Sequence, residues 1–265
     1  MATLQVGQGT ELYFEVSGQG EPLFMLNGLL ANPSFWKSTA LDRLAASHTC
    51  VLHCFRGQDY TVIGEPFSFE DIVKDLKKLI DHLGFERVHL LGDAFGVSVA
   101  LAFAHDYPEM VGKLILSSGG SMADQILLLK LRSFQKVLER SDLGLFFDAL
   151  YPNIYSHAYI ERNLAHYEAL KEASISCKNR ENMLQLLQAV FTRDKRRDFN
   201  KIGHETLVMH GLQDGLISPA HGRNMVKLLP NARLIELDCG HVIFAEMPER
   251  YAELVVSFLS EANAV

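Results

Sequence analysis

The run Gly92-Asp93-Ala94-Phe95-Gly96 has the frame of a nucleophile elbow, G-x-S-x-G, with alanine where the serine would stand. Glycines two before and two after the centre remove the Cβ atoms that would collide in so sharp a reversal, and they tolerate its strained backbone. The frame is built to push one side chain outward, and here that side chain is a methyl group. A methyl cannot attack a carbonyl, so the chain as written is expected to form no covalent acyl intermediate. Two further residues stand in the order that triad chemistry needs, acid and then base. Asp214 ends the loop that follows the apolar run 206–210, and His241 lies on the turn that follows the run 232–237. In such an arrangement His241 takes the nucleophile's proton, while Asp214 holds the imidazole in one tautomer and stabilises its charged form. Plainer readings exist: a glycine-softened turn at 92–96, a turn-forming Asp214, and a structural role for one of eleven histidines. Asp238 and His210 are rivals for acid and base, but 214 and 241 satisfy chain order, strand-end placement and loop length together.

These side chains need elements that bring them to one place. Arg87 to Leu91 reads as a short buried strand and Val97 to His105 as an apolar helix, the strand–turn–helix context that the elbow requires. Thr206 to His210 and Ala232 to Leu237 read as strands, so both polar residues sit on strand-end loops; in an open parallel sheet such loops line one crevice. Leu23 to Leu26 is another strand, and Asn27-Gly28-Leu29 leaves it. There the backbone N–H of Leu29 would pair with that of Phe95 to hold a developing oxyanion. An opening hairpin is predicted from Leu4-Gln5-Val6 and Glu11 to Val16, a helix from Trp36 to Ala46, a fourth strand that carries Cys50 and Cys54, an N-capped helix from Ser68, and a strand at 113–117. The alternation of strand and helix argues for a parallel sheet covered on both faces.

Between 122 and 199 the alternation stops and helical patterns follow one another: Leu127–Leu138, Leu143–Leu150, Ala158–Ala173 and Glu181–Phe191. Most apolar residues of that stretch pack among themselves. The remainder, including Phe146 and Tyr151, would wall an acyl-sized pocket together with Leu30, Phe35, Trp36, Val242 and Ile243.

Taken jointly, Asn27-Gly28, Arg56-Gly57, the elbow at 92–96, His-Gly-x-x-Asp at 210–214, and Gly-His followed by Glu-x-Pro-Glu at 240–249 resemble the α/β-hydrolase fold over nearly the whole chain. The resemblance implies a mostly parallel, twisted, eight-stranded sheet with helices on both faces. It also implies a core of 1–121 and 200–265 with a helical cap at 122–199, and Ala94, Asp214 and His241 as the triad positions. Leu26 to Ala31 with Ser34-Phe35 is similar to the opening of bacterial hydroxyacyl-transferring members, which act on acyl carrier protein or coenzyme A thioesters. Three positions depart from the family pattern: Ala94, the Gln58-Asp59 end of the fourth loop, and Asn27 in place of the usual histidine.

Length and composition agree with one large α/β domain: 265 residues, 48% hydrophobic. A net charge of −7 argues against a nucleic-acid partner, and Lys195-Arg196-Arg197 reads as a solvated helix end between aspartates. The four cysteines show no metal spacing and read as small buried residues; no metal or cofactor is called for. No leader or membrane span is visible, so a cytoplasmic setting is the default. The leading expectation is a serine-type esterase or thioesterase in a form inactive for want of its nucleophile. Its substrate would be an apolar acyl ester or thioester, free or on a carrier. The completeness of the other parts favours a serine-to-alanine replacement that spares the pocket over a loss of activity in evolution. The alternatives are an acyltransferase, a non-catalytic ligand-binding protein with native Ala94, and carbon–carbon or cofactor-free oxygen chemistry on the same fold.

Overall fold

The computed structural model describes residues 2–7, 9–29, 31–140, 143–177, 179–192 and 197–261. Eight strands form one sheet: β1 (Ala2–Gly7), β2 (Thr10–Ser17), β3 (Glu21–Leu26), β4 (His48–His53), β5 (Val88–Asp93), β6 (Val111–Ser117), β7 (Thr206–Gly211) and β8 (Ala232–Leu237), in the order β1-β2-β4-β3-β5-β6-β7-β8. The β1–β2 and β2–β4 pairs are antiparallel, and every pair from β4 onward is parallel. This is the eight-stranded, mostly parallel sheet expected.

Residues of a strand alternate between faces, and β3 shows it directly. Phe24 and Leu26 join the apolar cluster beneath α3 (Phe69–His82) and α4 (Phe95–Asp106). Leu23 and Met25 join the opposite cluster, with α1 (Pro33–Lys37), α2 (Leu41–Ala45) and α11 (Pro248–Ser260). Helix α4 is apolar all round because it crosses the centre of the sheet, where residues 95–97 and 99–104 are buried. Helix α3 opens on a capping box in which Ser68 and Asp71 satisfy each other's backbone N–H groups.

The helix expected from Trp36 to Ala46 is two short helices, α1 and α2. Asn32 caps the first and Pro33 opens it, so the segment starts before Trp36, and it turns at Ser38. Strand β4 stops at His53, so Cys54 lies just beyond it; both Cys50 and Cys54 are buried.

Between β6 and β7 run α5 (Gln125–Glu139), α6 (Leu143–Ile154), α7 (His157–Cys177) and α8 (Arg180–Thr192). Helices α5, α6 and α8 gather an apolar cluster around Leu138, Phe146 and Leu187, while Tyr167 of α7 packs in the cluster that holds α1, α2 and α11. Helices α9 (Ala220–Leu228) and α10 (Ile243–Glu246) complete the fold. Of the basic triplet at 195–197, Lys195 and Arg196 lie outside the described residues, and Arg197 pairs with Asp106 and Glu70. No described helix is long and apolar enough to cross a membrane.

Candidate active site

Ala94 sits between β5 and α4 with φ 48° and ψ −104°. That left-handed backbone is rare for a residue with a Cβ, and such strain costs about 1–3 kcal/mol. The flanking glycines are sterically required. A Cβ on Gly92 would lie 2.6 Å from the Gly96 carbonyl oxygen, and one on Gly96 would run into the carbonyl of Leu26 on β3. The strand, turn and helix are thus pressed together until only hydrogen fits at both positions.

The loops after β7 and β8 bring the acid and the base together. His241 Nδ1 donates to Asp214 Oδ2 at 2.7 Å. The other oxygen, Oδ1, accepts from the backbone N–H of Leu216 at 2.9 Å and of Ile217 at 2.8 Å. Buried His210 donates to the Ile217 carbonyl at 2.8 Å and lies 3.3 Å from Asp214 Oδ2. Burial alone would raise the Asp214 carboxyl, but the His241 charge and the hydrogen bonds from His210 and His241 outweigh it and hold it at about 2. Burial by itself would lower the His241 imidazole; the Asp214 carboxylate, with Asp93 behind it, raises it instead. The rivals fall elsewhere: His210 backs the acid, and Asp238 accepts from Gln213 at the surface.

With Nδ1 engaged by Asp214, Nε2 is the nitrogen left to take a proton. Ala94 and His241 line one cavity of about 200 Å³, together with Asp93, Gly28, Leu29, Phe95 and Phe146, Tyr151 and Leu187 from α6 and α8. The two expected oxyanion positions, Leu29 and Phe95, both face it, and Phe95 is the first residue of α4, whose leading N–H groups have no partner within the helix.

Of the expected pocket walls, Phe35, Phe146, Tyr151 and Val242 line the cavity and Leu30 lies outside the described residues. Trp36 does not line it, a correction with a clear cause. The indole stacks on Phe244 at 4.3 Å, and its Nε1 donates to Asn27 at 2.8 Å, so the ring serves the core behind the loop. Ile243 is buried in the same cluster.

Several residues support the site in ways the sequence did not show. Asn27 donates to the His53 carbonyl at 2.5 Å, and Gln58 Nε2 donates to the Gly28 carbonyl at 2.7 Å, so the two departures at 27 and 58 brace one loop jointly. Glu246 accepts from the N–H of Gly240 at 3.0 Å and of Ser156 at 2.9 Å, and the Ile154 carbonyl accepts from the N–H of His241 at 2.8 Å. Asp93 faces the cavity beside Ala94. Asn27, Gln58, Asp93 and Glu246 all lie in stretches that the sequence marked, but their partners were not readable there. Among the described residues no cluster of His, Cys, Asp and Glu could hold a metal ion.

Residues 21–248 match the family model described as the alpha/beta hydrolase fold. The chain belongs to the α/β-hydrolase family. A relative named carbamate hydrolase RutD, from Azorhizobium caulinodans, is 26% identical over 97% of this α/β-hydrolase and 98% of its own length. A 2-hydroxy-6-oxo-6-phenylhexa-2,4-dienoate hydrolase from Comamonas testosteroni is 26% identical over 94% of this chain and 91% of its own. The crystal structure of MGS-M2, an alpha/beta hydrolase enzyme from a Medee basin deep-sea metagenome library, has the same fold. It matches with a TM-score of 0.93 at 23% identity and covers 100% of this chain and 99% of that one.

Proposed function

We propose that this α/β-hydrolase carries an acyl-bond hydrolysis site, of esterase or thioesterase type, whose covalent route is closed because Ala94 stands at the nucleophile position. The observation that carries the reading is the buried His241–Asp214 pair, its imidazole opening on the same cavity as the Ala94 methyl. A serine at 94 would have its proton taken by His241 and would attack an ester or thioester carbonyl held at Leu29 and Phe95; water activated by His241 would then release the acid. The cavity walls are mostly apolar, which suits an acyl chain, and the segment 122–199 acts as the cap that selects it. The substrate is a small acyl ester or thioester, either free or on acyl carrier protein or coenzyme A. The relatives' names, all hydrolases, favour water as acceptor over a second alcohol or thiol.

The test is Ala94→Ser incubated with p-nitrophenyl esters and acyl thioesters. A stoichiometric burst and an acyl mass on position 94 are expected. A serine variant that folds and gains no acyl group with any donor would leave a ligand-binding protein as the better account, and transfer to an added carrier in place of hydrolysis would make it an acyltransferase.

A further inference from the structure

Asp93 is the last residue of β5, and nothing in the triad scheme uses it. Its side chain is turned to the cavity although the residue is only 5% exposed. Oδ1 is buried with no hydrogen-bond partner among the described residues. Oδ2 reaches the Gly28 turn: a Cβ built on Gly28 would lie 3.1 Å from it and 3.5 Å from the Ala94 Cβ. The carboxyl, the oxyanion loop and the elbow methyl therefore meet at one point.

The groups that reach Asp93 come from five elements. They are His241 on the loop after β8, Asp214 on the loop after β7, Ser117 on β6, Tyr155 after α6, and Tyr251 on α11. The two charges among them, His241 and Asp214, act in opposite directions. An ionised Asp93 beside the oxyanion donors would repel the charge that develops there. A protonated Asp93 would add a donor to them.

We propose that Asp93 is a catalytic carboxylic acid of this site: it donates its proton to the substrate carbonyl oxygen at the Gly28 turn while His241 activates a water seated over the Ala94 methyl. The inference rests on the acyl-bond reading above and replaces its covalent step with direct attack by water. The water oxygen bonds to the carbonyl carbon as its proton passes to His241 Nε2, and the carbonyl oxygen takes the Asp93 proton. When the tetrahedral carbon collapses, the leaving oxygen or sulfur departs with the bonding pair and takes the proton from His241; the hydroxyl returns its own to Asp93. No co-reactant is consumed. Burial pushes the Asp93 carboxyl up to about 7 against the pull of His241, so the proton is available near neutral pH.

The chain with Ala94 is assayed on p-nitrophenyl butyrate and a butyryl thioester, with Ala94→Ser as the reference for whether those probes enter the site. Slow turnover without an acyl mass on the protein is expected, falling above about pH 7 as Asp93 loses its proton. Asp93→Leu should lower that rate about 100-fold, the scale for loss of one oxyanion donor. Asp93→Asn keeps a donor, so it should retain most of the rate and lose the alkaline fall; being isosteric, it also serves if the leucine variant does not fold. In substrate-free protein, infrared titration should show one buried protonated carboxyl disappearing through neutrality, and Asp93→Asn should lack it.

No turnover of the Ala94 chain on probes that acylate Ala94→Ser overturns the inference and leaves the acyl-bond reading standing. So does turnover that Asp93→Leu does not slow, or an acyl mass on Asp93 itself, which would make it a nucleophile. Failure of Ala94→Ser to be acylated, together with no turnover by the Ala94 chain, overturns the acyl-bond reading and the water route with it.

Discussion

Asp214 and Asp93 lie on the two arms that meet over Ala94, and their surroundings are opposite. Asp214 has Oδ1 held by two backbone N–H groups and Oδ2 by His241, with His210 behind, and its carboxyl is driven down to about 2. Asp93 keeps one oxygen buried without a partner, its carboxyl is pushed up to about 7, and the next residue sits at φ 48°. The arm after β7 and β8 spends its hydrogen bonds on fixing one imidazole in place. The elbow arm stores strain and a carboxyl whose Oδ1 is buried unpaired, conditions that folding disfavours and that persist only where the surroundings enforce them.

The sharpest way to break the contrast is Asp214→Asn in the Ala94→Ser background. An amide at 214 favours the wrong imidazole tautomer, and acylation should fall about 10⁴-fold with the fold intact. Stopped-flow measurement of the burst checks it, and a loss under tenfold would mean that the pair only braces the loop.

Asp93→Asn sharpens the other side. Because the carboxyl keeps its proton longer in the folded chain than in the unfolded one, folding is increasingly penalised as the pH rises from about 4 to about 7, and the penalty is constant above that. The variant should flatten this slope and gain stability above pH 7, with a ceiling on the order of 4 kcal/mol. Urea unfolding across the pH range would show it as the parent–variant difference, and equal slopes would mean that Asp93 is relieved in the folded chain by a partner. The smallest effect is expected from Ala94→Gly, which removes the Cβ from a left-handed backbone and should stabilise the protein by up to about 1 kcal/mol, read from the thermal midpoint. Destabilisation instead would show that the methyl packs against something that glycine cannot replace.

Much of the frame was legible because its signals are local. The run 232–237 matched β8 residue for residue, and helices α5 to α8 were readable because periodicity and breakers lie within each segment. That Asp214 and His241 meet was readable because strand-end loops of a parallel sheet converge. What escaped depends on pairs far apart in the chain. Gln58 reaches the Gly28 carbonyl across 30 residues and Glu246 reaches Ser156 across 90, and no local pattern encodes either. Trp36 was misplaced for the same reason: an aromatic next to a loop reads as a wall, and only the position of Asn27 and Phe244 shows that it belongs to the core.

The carbonyl at the end of α6 accepts hydrogen bonds from the N–H groups of both His241 and Val242. The register of the imidazole is therefore set from α6 as well as from its own loop: a residue more than eighty positions upstream fixes the backbone that carries it, so a substitution that displaces the end of α6 would mis-aim His241 without touching either ring nitrogen.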